Sequence, residues 1–307
     1  MKIRNDAPII ECEALGKRYG STLALDNVSL SLPAGEPVAL IGPNGAGETT
    51  LISLLCGFIR QSAGSVSVLG EKPGGKRLSG RLAALPQDAV LDPRLSVGRQ
   101  LRFFARLQGM SAMQARADVH RVMQTVDMQD SANTKPGDLS HGMRKRVAIA
   151  QTLLGSPSLV LLDEPTAGID PPNAKMIRDL IREQSINTTF IVSSHNLDEL
   201  ERLCDTVVYL EKGRLISVGP VVDNDTHDFV TLRMGTPVID AEFLDATDGL
   251  RGVQSVTRTT QGDYLIETDN DMLASMSLMQ LFYERGWRYR QMSRGKTLEE
   301  RLYGDQK

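Results

Sequence analysis

No run in this 307-residue chain approaches the ~18 apolar residues that a membrane-spanning helix requires. Its first residues, Met1 to Asp6, lack the apolar core of a secretory leader. Cysteine is scarce. Cys12, Cys56 and Cys204 stand far apart without metal-type spacing and read as buried small apolar residues in a reducing compartment. There is no basic excess: 35 Lys+Arg against 38 Asp+Glu leave a formal charge of −3, which argues against a nucleic-acid-coating protein. Internal repeats and low-complexity tracts are absent. The expectation is a soluble, cytosolic chain, long enough for one large α/β domain and a small second one. If it works at a membrane, another chain provides the membrane part.

One further absence falls inside the strongest motif. Val38-Ala39-Leu40-Ile41 is a short apolar run, Gly42-Pro43-Asn44-Gly45-Ala46-Gly47 a glycine-rich turn, and Leu51-Ile52-Ser53-Leu54-Leu55 reads as a helix. Strand, turn and helix are the context of a phosphate-binding loop, in which backbone N–H groups curl around a polyphosphate and the helix start adds its positive dipole end. The pattern G-x-x-x-x-G-K-[ST] is met at Gly42, Gly47 and Thr49, but Glu48 holds the lysine position.

Around this loop the chain reads as a mixed α/β domain. Residues 9 to 41 look like strands, with Val28, Leu30 and Leu32 alternating with polar residues. Tyr19, near the end of the first section, either stacks on a base or is a partly buried tyrosine. Short strands are expected at Gly64 to Gly70 and Leu82 to Gln87, and a helical block from Ser96 to about Met128. Leu139-Ser140-His141-Gly142-Met143 opens another helix with Ser140 as its N-cap. Leu159 to Leu162 is a buried parallel strand that delivers Asp163 and Glu164 at its end, and Thr189 to Ser193 repeats the design for His195. Asp205 to Gly219 is a hairpin turning at Lys212-Gly213. The pattern changes near Pro220. Beyond it, strands are expected at Phe229 to Leu232 and Tyr264 to Glu267, and a helix from about Met272 to Arg285.

Taken in order, Tyr19, the phosphate loop, Gln87, Leu139 to Met143, Asp163-Glu164, Ala167-Gly168-Ile169-Asp170 and His195 closely resemble the ATP-binding cassette of ABC transporters. They match its base-stacking aromatic, Walker A, Q-loop, signature, Walker B, D-loop and switch histidine. The resemblance covers residues 9 to about 219, and His141 and Met143 depart from the common Leu-Ser-Gly-Gly-Gln signature. Gly142-Met143-Arg144-Lys145-Arg146 and the segment Lys296 to Leu302 resemble a subfamily that serves exporters and copper-enzyme maturation and carries a C-terminal accessory domain.

The resemblance implies a P-loop NTPase cassette over residues 1–220, with a helical subdomain at about 88–150, and an accessory α+β domain over 221–307. It implies ATP and Mg²⁺ as ligands. Tyr19, Gly42, Asn44, Gly45, Gly47, Glu48, Thr49 and Thr50 would meet the nucleotide in one copy, and Ser140, Gly142 and Asp170 the nucleotide held by a second copy. Thr49, Asp163 and Gln87 would hold the metal, with Gln87 also touching the attacking water, Glu164 polarising that water and His195 donating to the γ-phosphate. Partners would be a membrane-spanning permease and a second cassette, on the cytoplasmic face of the inner or plasma membrane, with no nucleic acid. Phe103, Phe104 and Leu107 sit in the block that receives a coupling helix, yet core packing is expected for at least two of them.

Glu48 qualifies the activity. Opposite charges ~4 Å apart are worth about 4 kcal/mol at an effective dielectric near 20, so reversing one sign swings the interaction by roughly twice that before relaxation. Side-chain rotation or a raised carboxyl pKa reduces the swing. Two functions follow: the ATP-driven motor subunit of a transporter, impaired at this position, or a non-hydrolysing scaffold of a membrane complex. A soluble cassette acting on ribosomes or DNA would want tandem cassettes, a long coiled coil or a basic surface, and none is present.

Overall fold

The computed structural model describes residues 7–221, 229–259 and 262–303; the leader reading at Met1 to Asp6 and the last residues, 304–307, lie outside these. The chain divides into two compact units, Met1–Gly219 and Pro220–Lys307.

In the first unit β1 (Pro8–Tyr19) pairs antiparallel with β2 (Thr22–Pro33). Leu25, Val28, Leu30 and Leu32 of β2 are buried. The step of three between Leu25 and Val28 is absorbed at Asn27, whose φ of 55° lies in the left-handed region that asparagine tolerates, so the two-residue alternation resumes on the same face. β3 (Val38–Ile41), buried throughout, leads into the phosphate loop and α1 (Glu48–Leu55), which buries Leu51, Ile52, Leu54 and Leu55. β4 (Ala63–Val68) completes a three-stranded antiparallel sheet in the order β2-β1-β4.

β5 (Leu82–Leu85) precedes the helical block α2 (Val97–Leu107), α3 (Ala112–Thr125) and α4 (His141–Thr152). A capping box between Ser111 and Gln114 starts α3; Ser140 caps α4 by accepting from the Met143 N–H at 3.2 Å. Core packing does not hold for two of the three residues expected to provide it. Phe103 and Leu107 are 57% and 66% exposed, because α2 buries the opposite stripe of Val97, Leu101 and Ala105.

The remaining elements build the main sheet: β6 (Leu159–Asp163), α5 (Pro171–Gln184), β7 (Thr189–Ser193), α6 (Leu197–Leu203), β8 (Thr206–Glu211) and β9 (Arg214–Pro220). Its order is β5-β6-β7-β3-β8-β9, with β5 to β8 running parallel. Every residue of β6 and β7 is buried, as strands covered on both faces require. Ser193 is in register with Leu40 on one side and Asp163 on the other. The loops leaving β3, β6 and β7 therefore open at one edge of the sheet, where α/β proteins bind ligands. Cys12 and Cys204 are buried and Cys56 is half-buried; all are free thiols.

The second unit runs β10 (Phe229–Met234), α7 (Asp240–Thr247), β11 (Val253–Arg258), β12 (Tyr264–Thr268), α8 (Asp271–Arg285), β13 (Tyr289–Arg294) and α9 (Leu298–Tyr303). Its antiparallel sheet, ordered β11-β12-β10-β13, is that of a split βαβ pair. Val230, Leu232, Phe243, Tyr264, Ile266, Leu278 and Phe282 form its core.

Candidate nucleotide site

The loop after β3 is built to approach a ligand closely. A Cβ at Gly42 would stand 2.4 Å from both the Ala46 Cβ and the Leu210 carbonyl oxygen, so only glycine fits there. The Ala46 N–H closes the turn onto the Pro43 carbonyl at 2.8 Å, and Gly47, with φ 110°, precedes α1. The loop and the start of α1 then line a cleft of about 440 Å³.

That cleft brings together most of the expected residues. Asn44, Gly45, Gly47, Glu48, Thr49 and Thr50 line its floor, with Asp163, Glu164 and His195 beside them, Gln87 at one wall and Tyr19 at another. Tyr19 is 48% exposed and lines the cleft, with Lys17 Nζ over its ring 4.9 Å from the centroid. Gly42 lies behind the floor rather than in the lining. Ser140, Gly142 and Asp170 do not line this cleft; they stand at the starts of α4 and α5.

Two residues that sequence reasoning missed hold the Asp163-Glu164 segment in place. The Ser193 hydroxyl donates to Asp163 Oδ1 at 2.6 Å and accepts from the Glu164 N–H at 3.2 Å. Its signal was its place in Ser193-Ser194-His195 at the end of a buried strand. Lys145, on the signature helix, donates from Nζ to the Glu164 carbonyl at 3.4 Å. Burial pulls the Lys145 ammonium below its ordinary pKa, while Glu164, Asp163 and Asp88 oppose the shift.

Thr49 Oγ1 donates to Asp163 Oδ2 at 3.3 Å. A hydroxyl and a carboxylate converging beside a phosphate cradle are the hard oxygen ligands Mg²⁺ takes, so the residues fit that ion. Glu164 accepts the His195 N–H on Oε1 at 2.9 Å, and the same oxygen lies 3.6 Å from His195 Nε2. Burial holds the Glu164 carboxyl above the usual range, with His195 the largest opposing influence.

Glu48 is where the fit to a polyphosphate fails. The structure half-buries this side chain in the cleft beside two other acids, Asp163 and Glu164. Burial first, then Asp163 and Glu164, push its pKa up to about 8. Near neutral pH the position is therefore mostly a neutral carboxylic acid, and the expected charge reversal is softened into the loss of a cation.

A glycine cradle on a strand-to-helix turn, oxygen ligands from a neighbouring strand end and an aromatic wall define a phosphate-loop nucleotide-binding cassette. A family model described as "ABC transporter" matches residues 25–167. Nod factor export ATP-binding protein I of Burkholderia orbicola (strain AU 1054) is 35% identical over 234 residues, 75% of this chain and 75% of that protein. The protein of the same name in Ralstonia nicotianae (strain ATCC BAA-1114 / GMI1000) is 33% identical over 76% of this chain and 72% of its own. Among solved structures, an ATP-binding subunit of an ABC transporter superposes with TM-score 0.63 at 29% identity, covering 69% of this chain and 90% of the other. The cbiO1 protein of Clostridium perfringens, part of the ABC transporter complex cbiONQ, does so with TM-score 0.63 at 28% identity over 70% and 89%. The chain belongs to the ABC transporter family, as an ATP-binding subunit.

Proposed function

We propose that this chain is the cytoplasmic motor subunit of an exporter, pairing head to tail with a second copy beneath a membrane-spanning permease, and that Glu48 impairs its own ATP binding and hydrolysis. One observation carries the reading: Thr49, Asp163, Ser193, Glu164 and His195 form a continuous bonded chain along one cleft floored by the glycine loop. In this reading Thr49 and Asp163, with Gln87, hold Mg²⁺, which when bound offsets negative charge on the phosphates. Glu164 orients the attacking water, His195 donates toward the terminal phosphate and Tyr19 stacks on the base. Ser140, Gly142 and Asp170 serve the nucleotide of the other copy. Outward-facing Phe103 and Leu107, on the helical subdomain at about 88–150, support contact with the permease. Residues 221–307 are the accessory domain of the exporter-type subfamily, and the export named for the relatives supports that direction of transport.

The test is ATP affinity and turnover of this chain beside Glu48→Lys. Even a third of the expected swing, about 2.7 kcal/mol, is roughly a hundredfold in affinity. If the two proteins agree within about threefold, under 1 kcal/mol, the electrostatic argument is wrong. The packing of Glu48 with Asp163 and Glu164 favours a second reading, a non-hydrolysing scaffold. It predicts that the permease co-purifies equally with both chains and that restoring lysine changes nothing in transport.

A further inference from the structure

We propose that Glu199 is a positioning residue, clasping the loop that follows Glu164 to the helix that follows His195, so that the two loops move as one piece. The proposal rests on the reading above for its role in turnover; the clasp itself is in the geometry.

Glu199 uses both carboxylate oxygens. Oε2 accepts from the Thr166 hydroxyl at 2.7 Å, and Oε1 accepts from Arg178 Nη1 at 2.6 Å. Arg178 and Glu199 are only 16% and 19% exposed, so the pair is little screened. The three residues come from three segments: the loop after β6, the middle of α5 and the first turn of α6. From Glu199 back to the histidine the chain is pinned by the cap of α6, where Asn196 Oδ1 accepts the Glu199 N–H at 3.2 Å. The Asn196 N–H in turn donates to Ser194 Oγ at 3.1 Å.

The tie in the other direction starts at the site. Glu164 Oε1 accepts the His195 N–H at 2.9 Å. The loop after β6 thus reaches the histidine segment twice, through the Glu164 carboxylate at the His195 N–H and through the Thr166 hydroxyl at Glu199 of α6. The loop needs such support. Glu164 has φ 51°, a conformation that L residues keep only where the surroundings impose it. Its own turn is closed by long bonds, Ala167 N–H to Glu164 O at 3.3 Å and Ile169 N–H to Thr166 O at 3.4 Å. Thr166, two residues past Glu164, is where Glu199 takes hold.

Thr166→Val removes the hydroxyl at nearly constant volume, and Thr166→Ser keeps it. In the chain without nucleotide, amide exchange around Ala167 to Ile169 and His195 should quicken about tenfold or more in the valine variant, stay near normal in the serine variant, and not change in β6 and β7. In a Glu48→Lys background the valine variant should lose about tenfold in kcat with KM within about threefold, and serine should restore it. Exchange and kcat unchanged within about twofold would overturn the clasp. So would faster exchange spread evenly through the main sheet, the mark of a general stabiliser. If the Glu48→Lys chain has no turnover, the functional reading falls and the exchange result alone decides the clasp.

Discussion

At the residue scale the chain turns on Glu48. Its pKa of about 8 against an ordinary value of 4.5 means the folded state binds the proton more tightly than the unfolded one. The stabilisation this gives is fully present below pH 4.5 and is lost as pH rises through about 8. With Mg²⁺ chelated, thermal melts should show this chain losing stability relative to Glu48→Gln across that window; parallel curves would mean the carboxyl is not held neutral. The neighbouring acid has a different task. In a chain restored by Glu48→Lys, adding Glu164→Gln should abolish turnover and leave ATP binding intact. Retained turnover above about a few per cent moves the water-orienting role elsewhere, with His195 next in line.

At the scale of elements, the start of α4 is fitted to the start of α5. A Cβ at Gly142 would stand 2.6 Å from Asn173 Cγ, and Asn173 Nδ2 donates to Asp170 Oδ1 at 2.7 Å. Gly142→Ala should push Asn173 off Asp170 at a cost of about 1 kcal/mol, the worth of one hydrogen bond, since the amide can swing away. Denaturant melts in an Asn173→Ala background should show most of that cost gone. Signals of this kind divide what was legible in the sequence from what was not. β3, the glycine turn and the Ser140 cap were readable because run length, spacing and cap chemistry are local. So were the carboxylates at the end of β6, which follow an unbroken apolar strand. The raised pKa of Glu48 was not, because part of it comes from Asp163 and Glu164, more than a hundred positions away in sequence. β11 and β13 escaped notice because they are edge strands without a clean alternation of buried and exposed positions. The outward turn of Phe103 was hidden for a related reason: α2 has apolar residues on two faces, and packing chooses between them.

At the scale of the whole molecule, Ser140, Gly142 and Asp170 are not among the residues lining the chain's own cleft, and the proposal gives them the nucleotide of a second copy. With Glu48→Lys and ATP, Ser140→Cys on one copy should cross-link to Gly45→Cys on another. A bridge that forms only within single chains would end the shared-site proposal. The native thiols determine how cleanly that experiment runs. Burial pushes Cys12 and Cys56 up to about 12 and raises Cys204 as well. A thiol that stays protonated is a poor nucleophile toward maleimides, disulfide reagents and peroxide. The native cysteines are therefore expected to react more slowly than exposed introduced ones, with Cys56, which is half-buried, the least protected of the three. Pairs of introduced cysteines should then report distances without first replacing the native three, and oxidant added to close a bridge should act on the exposed thiols before the buried ones.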